Sequence, residues 1–331
     1  MPPSQLPDPA DFDAWTLAEW VEATLLLEEL AEISRTSLRE RFSAGLAPDQ
    51  AEIDSMVAEI RRRAAAAPSC YPYRVDGTRV MRDDSVESTA YDFLLLLSLQ
   101  YAPYRREKRF EEINPAFELL TREALVRHLG PEARGVRFAW PPRDDRPQGF
   151  SEAVPWLAEQ MGLEIGSLSD VDDVDNDGGL DVAAWRAFGD GQPGHIAVLA
   201  QCTVEVSYEH KAKDLEPMQW AGWIRFGRPP MSALAIPFVV AADAKVWMRL
   251  ATRVDLMLDR MRIAQLLDVE ALAAFPEHQE MTAFISAERQ AMLQALAEPQ
   301  PADRRQDRRP KVAPRRKPVR ASEEPAQPAA E

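Results

Sequence analysis

Apolar residues recur at three- and four-residue spacing through residues 11–66, at Trp15, Leu17, Trp20, Val21, Leu25 and Leu27, and again after Pro48 at Ile53, Met56, Val57 and Ile60. Residues so spaced share one helix face, so the pattern predicts two antiparallel helices. Around Tyr71–Val80 the pattern changes to alternation about Asp76-Gly77, which predicts a hairpin or extended connector. A strongly apolar helix over roughly 86–102 follows.

From Asn114 the periods are mixed. Pro115–Leu129 reads as an amphipathic helix closed by Gly130, and Phe150–Met161 as another closed by Gly162. Val136–Trp140 predicts a strand stopped by Pro141-Pro142. Two apolar runs, Leu180–Phe188 and His195–Val206, flank a Gly-rich turn over 189–194 and predict a β-hairpin. Ala233–Val240 reads as a third buried strand and Lys245–Leu267 as one long helix. The fold class is therefore mixed α/β, in the α+β sense: a helical domain over 1–110, then a mixed sheet flanked by helices over 111–298. Residues 299–331 are Pro-, Ala- and Arg-rich without periodicity and read as a disordered basic tail.

Charge qualifies this picture. The chain carries a formal −15, but residues 301–331 hold nine Lys/Arg against five Asp/Glu, so the body alone carries 30 basic and 49 acidic residues. A body this acidic does not hold a polyanion by bulk electrostatics; it needs a local basic groove or a partner. The two cysteines, Cys70 and Cys202, are far apart in apolar surroundings, so neither a disulfide framework nor a Cys-rich zinc site is expected, and a reducing cytoplasm fits. No apolar run reaches membrane-spanning length, and the acidic, proline-rich start is unlike a signal peptide.

The candidate chemistry lies in the second hairpin. The strand GGLDVAAW buries Asp181 between Leu180 and Val182, where an unpaired carboxylate is costly. Side chains alternate along HIAVLAQCTV, so Gln201 shares a face with Ala197, Leu199, Thr203 and Glu205 and can face Asp181 across the hairpin. Glu118 lies on the preceding helix. This order, helix Glu, GGLD strand, then Gln strand, resembles the PD-(D/E)XK or restriction-endonuclease-like superfamily, especially Mrr-like members with a Q-x-K variant of the second motif. The resemblance covers about 114–265 and implies that Asp181, Gln201 and Glu118 hold Mg²⁺ or Mn²⁺ for phosphodiester hydrolysis. The position two after Gln201, where that family has its lysine, is Thr203. Lys211 and Lys213, just beyond the strand, are the candidates to supply the amine.

Other readings compete. Asp173, Asp175, Asp177 and Gly178 match the first positions of a calcium loop, but Ala184 stands where its bidentate glutamate belongs. Trp220 and Trp223, beside Arg225, can stack on bases, although such a pair is more often core. Arg260 and Arg262 can reach phosphate or pair with Asp255 or Asp259, and His195 and His210 read as surface residues. The resemblance implies a DNA endonuclease of a prokaryotic anti-phage or restriction system, and the acidic body implies a protein partner such as a motor ATPase. The alternative is a degenerate nuclease-fold adaptor that binds a protein.

Overall fold

The computed structural model describes residues 13–42, 47–99, 107–143, 145–169, 171–172, 176–241 and 243–297. The tail expected from 299, and Asp173 and Asp175 of the calcium-loop match, lie outside the described residues.

The N-terminal part is built around α1 (Ala14–Leu27), capped by the Asp13 carboxylate, which accepts the Trp15 and Thr16 N–H groups. Every residue from Leu17 to Leu27 is buried, as a helix at the centre of a core must be. Then come β1 (Glu32–Ser34), α2 (Arg35–Glu40) and α3 (Gln50–Ala66), the last started by a reciprocal Asp49–Glu52 capping box. Where the spacing predicts only two helices over 11–66, the chain thus makes three helices and a strand. β1 exists because it pairs with a segment distant in sequence: β2 (Tyr73–Asp76) and β3 (Arg79–Arg82) form the predicted hairpin, and β1 joins β3 antiparallel. The apolar helix is α4 (Thr89–Ser98).

The second part runs α5 (Glu107–Leu129), β4 (Arg134–Arg137), α6 (Phe150–Met161), β5 (Val182–Arg186), β6 (Ile196–Cys202), α7 (Tyr208–Lys211), α8 (Pro217–Trp223), β7 (Met231–Ala235), α9 (Ala244–Ala251), β8 (Leu256–Leu258), α10 (Arg260–Leu266), α11 (Val269–Ala274) and α12 (His278–Ala297). Its five-stranded sheet has the order β4-β5-β6-β7-β8. β5 is antiparallel to both β4 and β6, whereas β7 and β8 run parallel to β6.

The single long helix predicted over 245–267 is not formed. Leu256–Leu258 instead pairs with β7, and the two aspartates flanking it act as stops: Asp255 accepts the N–H and hydroxyl of Ser232, while Asp259 caps α10 by accepting the Arg262 N–H. A short polar side chain that bonds the backbone favours a helix end over its interior.

Strand alternation sorts the sheet residues onto two cores. Val182, Ala184, Val198 and Ala200 face α5 and join one apolar cluster that runs from Leu17 in α1 to Ile285 in α12. Ala183, Trp185, Ala197 and Leu199 face the other way and pack with Phe138, α6, Trp220 and Trp223. Trp220 and Trp223 are 0% and 2% exposed, so the pair is core and cannot stack on an external base. The fold class is the predicted one, helices followed by a mixed sheet with helices on both faces. Among the described residues no helix is long and apolar enough to cross a membrane.

Candidate active site

Asp181 sits one residue before β5 and is held by three strands. Its N–H donates to the Ala200 carbonyl (3.0 Å), and its carbonyl accepts both the Phe138 (2.7 Å) and Ala139 (3.1 Å) N–H groups. Two successive residues sharing one carbonyl make a bulge at the end of β4. The carboxylate continues the ladder, since Oδ2 accepts the Cys202 N–H at 2.7 Å. Asp181 is therefore placed by backbone geometry rather than by a flexible rotamer.

The two glycines before it explain the approach. Gly178 and Gly179 have φ of +58° and +75°, a region that favours glycine. A Cβ on Gly179 would lie 2.3 Å from the Asp214 carbonyl oxygen, and one on Gly178 would lie 2.8 Å from the Phe150 ring. The loop that delivers Asp181 is thus pressed against the segment just after Lys211 and Lys213. Asp177 ties the loop to both sides, accepting the Gly179 N–H at Oδ1 (3.0 Å) and the Trp140 N–H at Oδ2 (3.3 Å).

Glu118 reaches the same place from α5. Its Oε2 accepts the Arg137 Nε–H at 2.5 Å, and Arg137 lies opposite Val182 on the sheet face covered by α5. Burial raises the Glu118 carboxyl, with Asp177 adding to the effect and Arg137 and Arg143 opposing it. Burial likewise pushes Asp181 well above the usual carboxylate range. Glu118 and Asp177 add to that shift, against the Cys202 N–H and Arg137. Glu118 and Asp181 therefore share the enclosed Arg137 guanidinium. The Cys202 thiol is also pushed well up, by burial and then by Asp181 and Glu118, so it is an inert neighbour rather than a nucleophile.

Continuing the Val182–Ala200 register places Gln201 opposite Asp181. Gln201 is 8% exposed, and its Oε1 is buried without a hydrogen-bond partner, a state that costs free energy unless something donates to it or coordinates it. Thr203, in the lysine position, is turned to local use, its Oγ1 accepting the Glu205 N–H at 3.1 Å. The Lys211 ammonium lies 3.5 Å from Glu205 and 3.4 Å from Asp214. Burial is the largest single influence and works against its charge, but these two carboxylates together outweigh it and hold the ammonium above the usual lysine range. Lys213 is exposed and has no ion pair among the described residues.

Asp181 and Glu118 thus meet electrostatically at one mouth of the sheet, with the lysine segment packed on the loop beside it, whereas Gln201, paired with Leu234, lies on the sheet face opposite α5. Sequence reasoning misses Arg137, although its parity in β4 already puts it on the helix-facing side, and it reads Asp177 only as a calcium-loop position, whereas Asp177 accepts the Trp140 and Gly179 N–H groups. Among the described residues no group of three or more His, Cys, Asp or Glu side chains is arranged to hold a metal ion. Mg²⁺ needs less, because it keeps several waters and takes one or two carboxylates. Two under-compensated carboxylates and an orphaned amide oxygen fit that requirement.

No family model and no curated protein matches the chain. Among solved structures, the MspJI restriction endonuclease in complex with a 27-mer oligonucleotide is similar at 15% identity and a TM-score of 0.28. The match covers 66% of this chain and 37% of that one, so the chain spans little more than a third of that protein's length.

Proposed function

We propose that the chain is a metal-dependent phosphodiester hydrolase acting on DNA, with Asp181, Glu118 and Gln201 as the residues that hold Mg²⁺ or Mn²⁺. The observation that supports it best is that Glu118, held by the Arg137 Nε–H, lies near enough to Asp181, held by the Cys202 N–H, to raise that buried carboxyl further, with Arg137 opposing the shift of both. A divalent cation bound there supplies charge neutralisation at the phosphate and a lower pKa for the attacking water.

The chain's own groups have separable parts. Cys202 N–H fixes Asp181 Oδ2, so Oδ1 would be the oxygen offered to the cation. Gln201 Oε1, buried without a hydrogen-bond partner, would be the neutral oxygen ligand. Glu118, kept beside the mouth by the Arg137 Nε–H at Oε2, would offer its carboxylate to the cation. Lys211 or Lys213 brings an amine toward the phosphate from the segment packed on Gly179. The acidic body makes delivery of DNA by a protein partner, such as a motor ATPase in a cytoplasmic defence system, part of the same reading.

A second reading, a nuclease-fold adaptor without activity, draws on the Glu118–Arg137 ion pair and on the engagement of Lys211 by Glu205 and Asp214. Incubating the purified chain, alone and with the products of neighbouring genes, with plasmid DNA and Mg²⁺ or Mn²⁺ separates the two. Cleavage that disappears in Asp181→Ala supports hydrolysis. Intact plasmid in every mixture, or cleavage undiminished in Asp181→Ala, sinks it.

A further inference from the structure

The chain has eight tryptophans, and Trp140 alone is exposed, at 43%. It stands at the candidate active site, next to Ala139, whose N–H donates to the Asp181 carbonyl. A single exposed aromatic is ordinary, but this one is held rigidly. Its own N–H donates to Asp177, and Arg137 Nη1 donates to the carbonyls on either side of it, Ala139 at 3.2 Å and Pro141 at 3.0 Å. The same guanidinium holds Glu118 through Nε. Farther along the loop Arg146 lies 4.4 Å over the Phe138 ring and donates to the Asn176 carbonyl at 2.6 Å, so the strap from 138 to 149 is pinned to the loop that carries Asp177. Arg143, exposed on that strap, lies close enough to act electrostatically on Glu118.

An indole kept in water on a pinned backbone, beside an exposed guanidinium and two carboxylates, has the chemistry that receives a nucleobase. A base needs a flat apolar face on which to stack and a cation for its phosphate. Bases inside a duplex already stack on each other, so such a platform favours a strand whose bases are free. We infer that Trp140 is a stacking platform for an unpaired nucleobase, with Arg143 on the adjoining phosphate, so that the substrate is single-stranded or locally opened DNA. This rests on the hydrolase reading for the identity of the ligand, and its test is binding rather than cleavage.

Fluorescence anisotropy of an end-labelled oligonucleotide, as a single strand and as a blunt duplex, is measured in EDTA at low salt with the full chain and four variants. The single strand binds the unaltered chain about tenfold or more tighter than the duplex. Trp140→Ala loses about tenfold on the single strand, the scale of one stacked base, with little change on the duplex, whereas Trp140→Phe keeps most of the affinity. Arg143→Ala weakens both and flattens the salt dependence, and Arg79→Ala, which removes an equal charge from the N-terminal hairpin where Arg79 pairs with Glu32, binds as the unaltered chain does. Equal single-strand affinity in Trp140→Ala, equal loss on both forms, or no single-strand preference in the unaltered chain overturns the inference. Trp140-dependent binding without any cleavage would sink the hydrolase reading alone. Asp181-dependent cleavage with Trp140-independent binding would sink the platform alone.

Discussion

Two clusters of buried charge in this molecule are built from the same residue types and end in opposite electrostatic states. In the core, Arg63 Nη1 lies 2.6 Å from Glu19 and 2.9 Å from Glu22, and its Nε lies 2.8 Å from Glu59. Arg260 meets Glu19 at 2.5 Å and Glu22 at 3.6 Å. Tyr71 and Tyr91 donate to the two Glu22 oxygens at 2.6 and 2.8 Å. Burial pushes Glu19 up, yet Arg260 and Arg63 more than reverse this and hold it below the usual range. Glu22 stays raised, by burial first, but both its oxygens are occupied. At the sheet mouth, Asp181 and Glu118 are both raised and Gln201 Oε1 is orphaned. The Glu19 and Glu22 oxygens of the core cluster are all met by the chain's own donors, with Arg63 Nη2 left over. Asp181 and Glu118 have fewer donors of their own, and under the proposed function this is where a donor or a cation from outside would act, whereas the core network docks helices.

The largest effect is expected where the closed cluster is opened. Arg260 is 0% exposed and links α10 to Glu19 of α1 and to Ser98 at the end of α4. Arg260→Ala leaves the Glu19 carboxylate without half of its compensation and should cost about 3–5 kcal/mol, read as a lower urea midpoint with an unchanged slope. A loss under about 1 kcal/mol would mean that the network does not dock α1 to the rest and that the contrast between the clusters is false.

Asp181→Asn probes the other side. Cleavage should fall by about 10²-fold or more, the scale of removing one charge-stabilising group, while stability at neutral pH should not fall. The sign follows from the raised native carboxyl: between the unfolded carboxylate value and the higher native one, the folded state binds the extra proton, so stability declines as pH rises through that window. Asn carries no such slope. Thermal midpoints from about pH 4 to pH 8 should therefore favour the variant increasingly toward neutral pH, and Mg²⁺ should narrow the gap by stabilising the unaltered chain. A variant less stable than the parent at neutral pH would contradict the raised carboxyl.

The parts of this arrangement that were legible in the sequence are those set by local chemistry. Gly130 and Gly162 end α5 and α6 where predicted, and a carboxylate in an apolar strand with a glutamine on the next singled out Asp181 and Gln201. Glu19 and Glu22 read instead as polar positions on a helix, although they are 4% and 0% exposed. Their partners are 44 and 41 residues away in Arg63 and 241 away in Arg260, and no periodicity reports such pairings. β8 escaped for the same reason, three residues made a strand by β7. Arg137 escaped because its partner Glu118 is fixed by the packing of α5 on the sheet.

Gly179→Ala tests how the site is delivered. The added methyl meets the Asp214 carbonyl, and the backbone is in the left-handed region. A loss of about 1–3 kcal/mol is expected, with cleavage falling alongside as Asp181 shifts. A variant of parental stability would mean that the loop and the lysine segment are not pressed together.

The smallest stability effect belongs to Lys211, whose two ion pairs are partly exposed and worth about 0–1 kcal/mol together. Lys211→Met should unfold within that margin of the parent, while cleavage drops about tenfold or more if its amine serves the phosphate, with Lys213→Met run beside it because the second ammonium has no competing carboxylate. The expected outcome is a loss of cleavage in one of the two at unchanged stability. Full cleavage in the double variant would leave Arg137, already bound to Glu118 beside Asp181, as the nearest cation, and would make the mouth a site that supplies its own positive charge instead of importing it from α7.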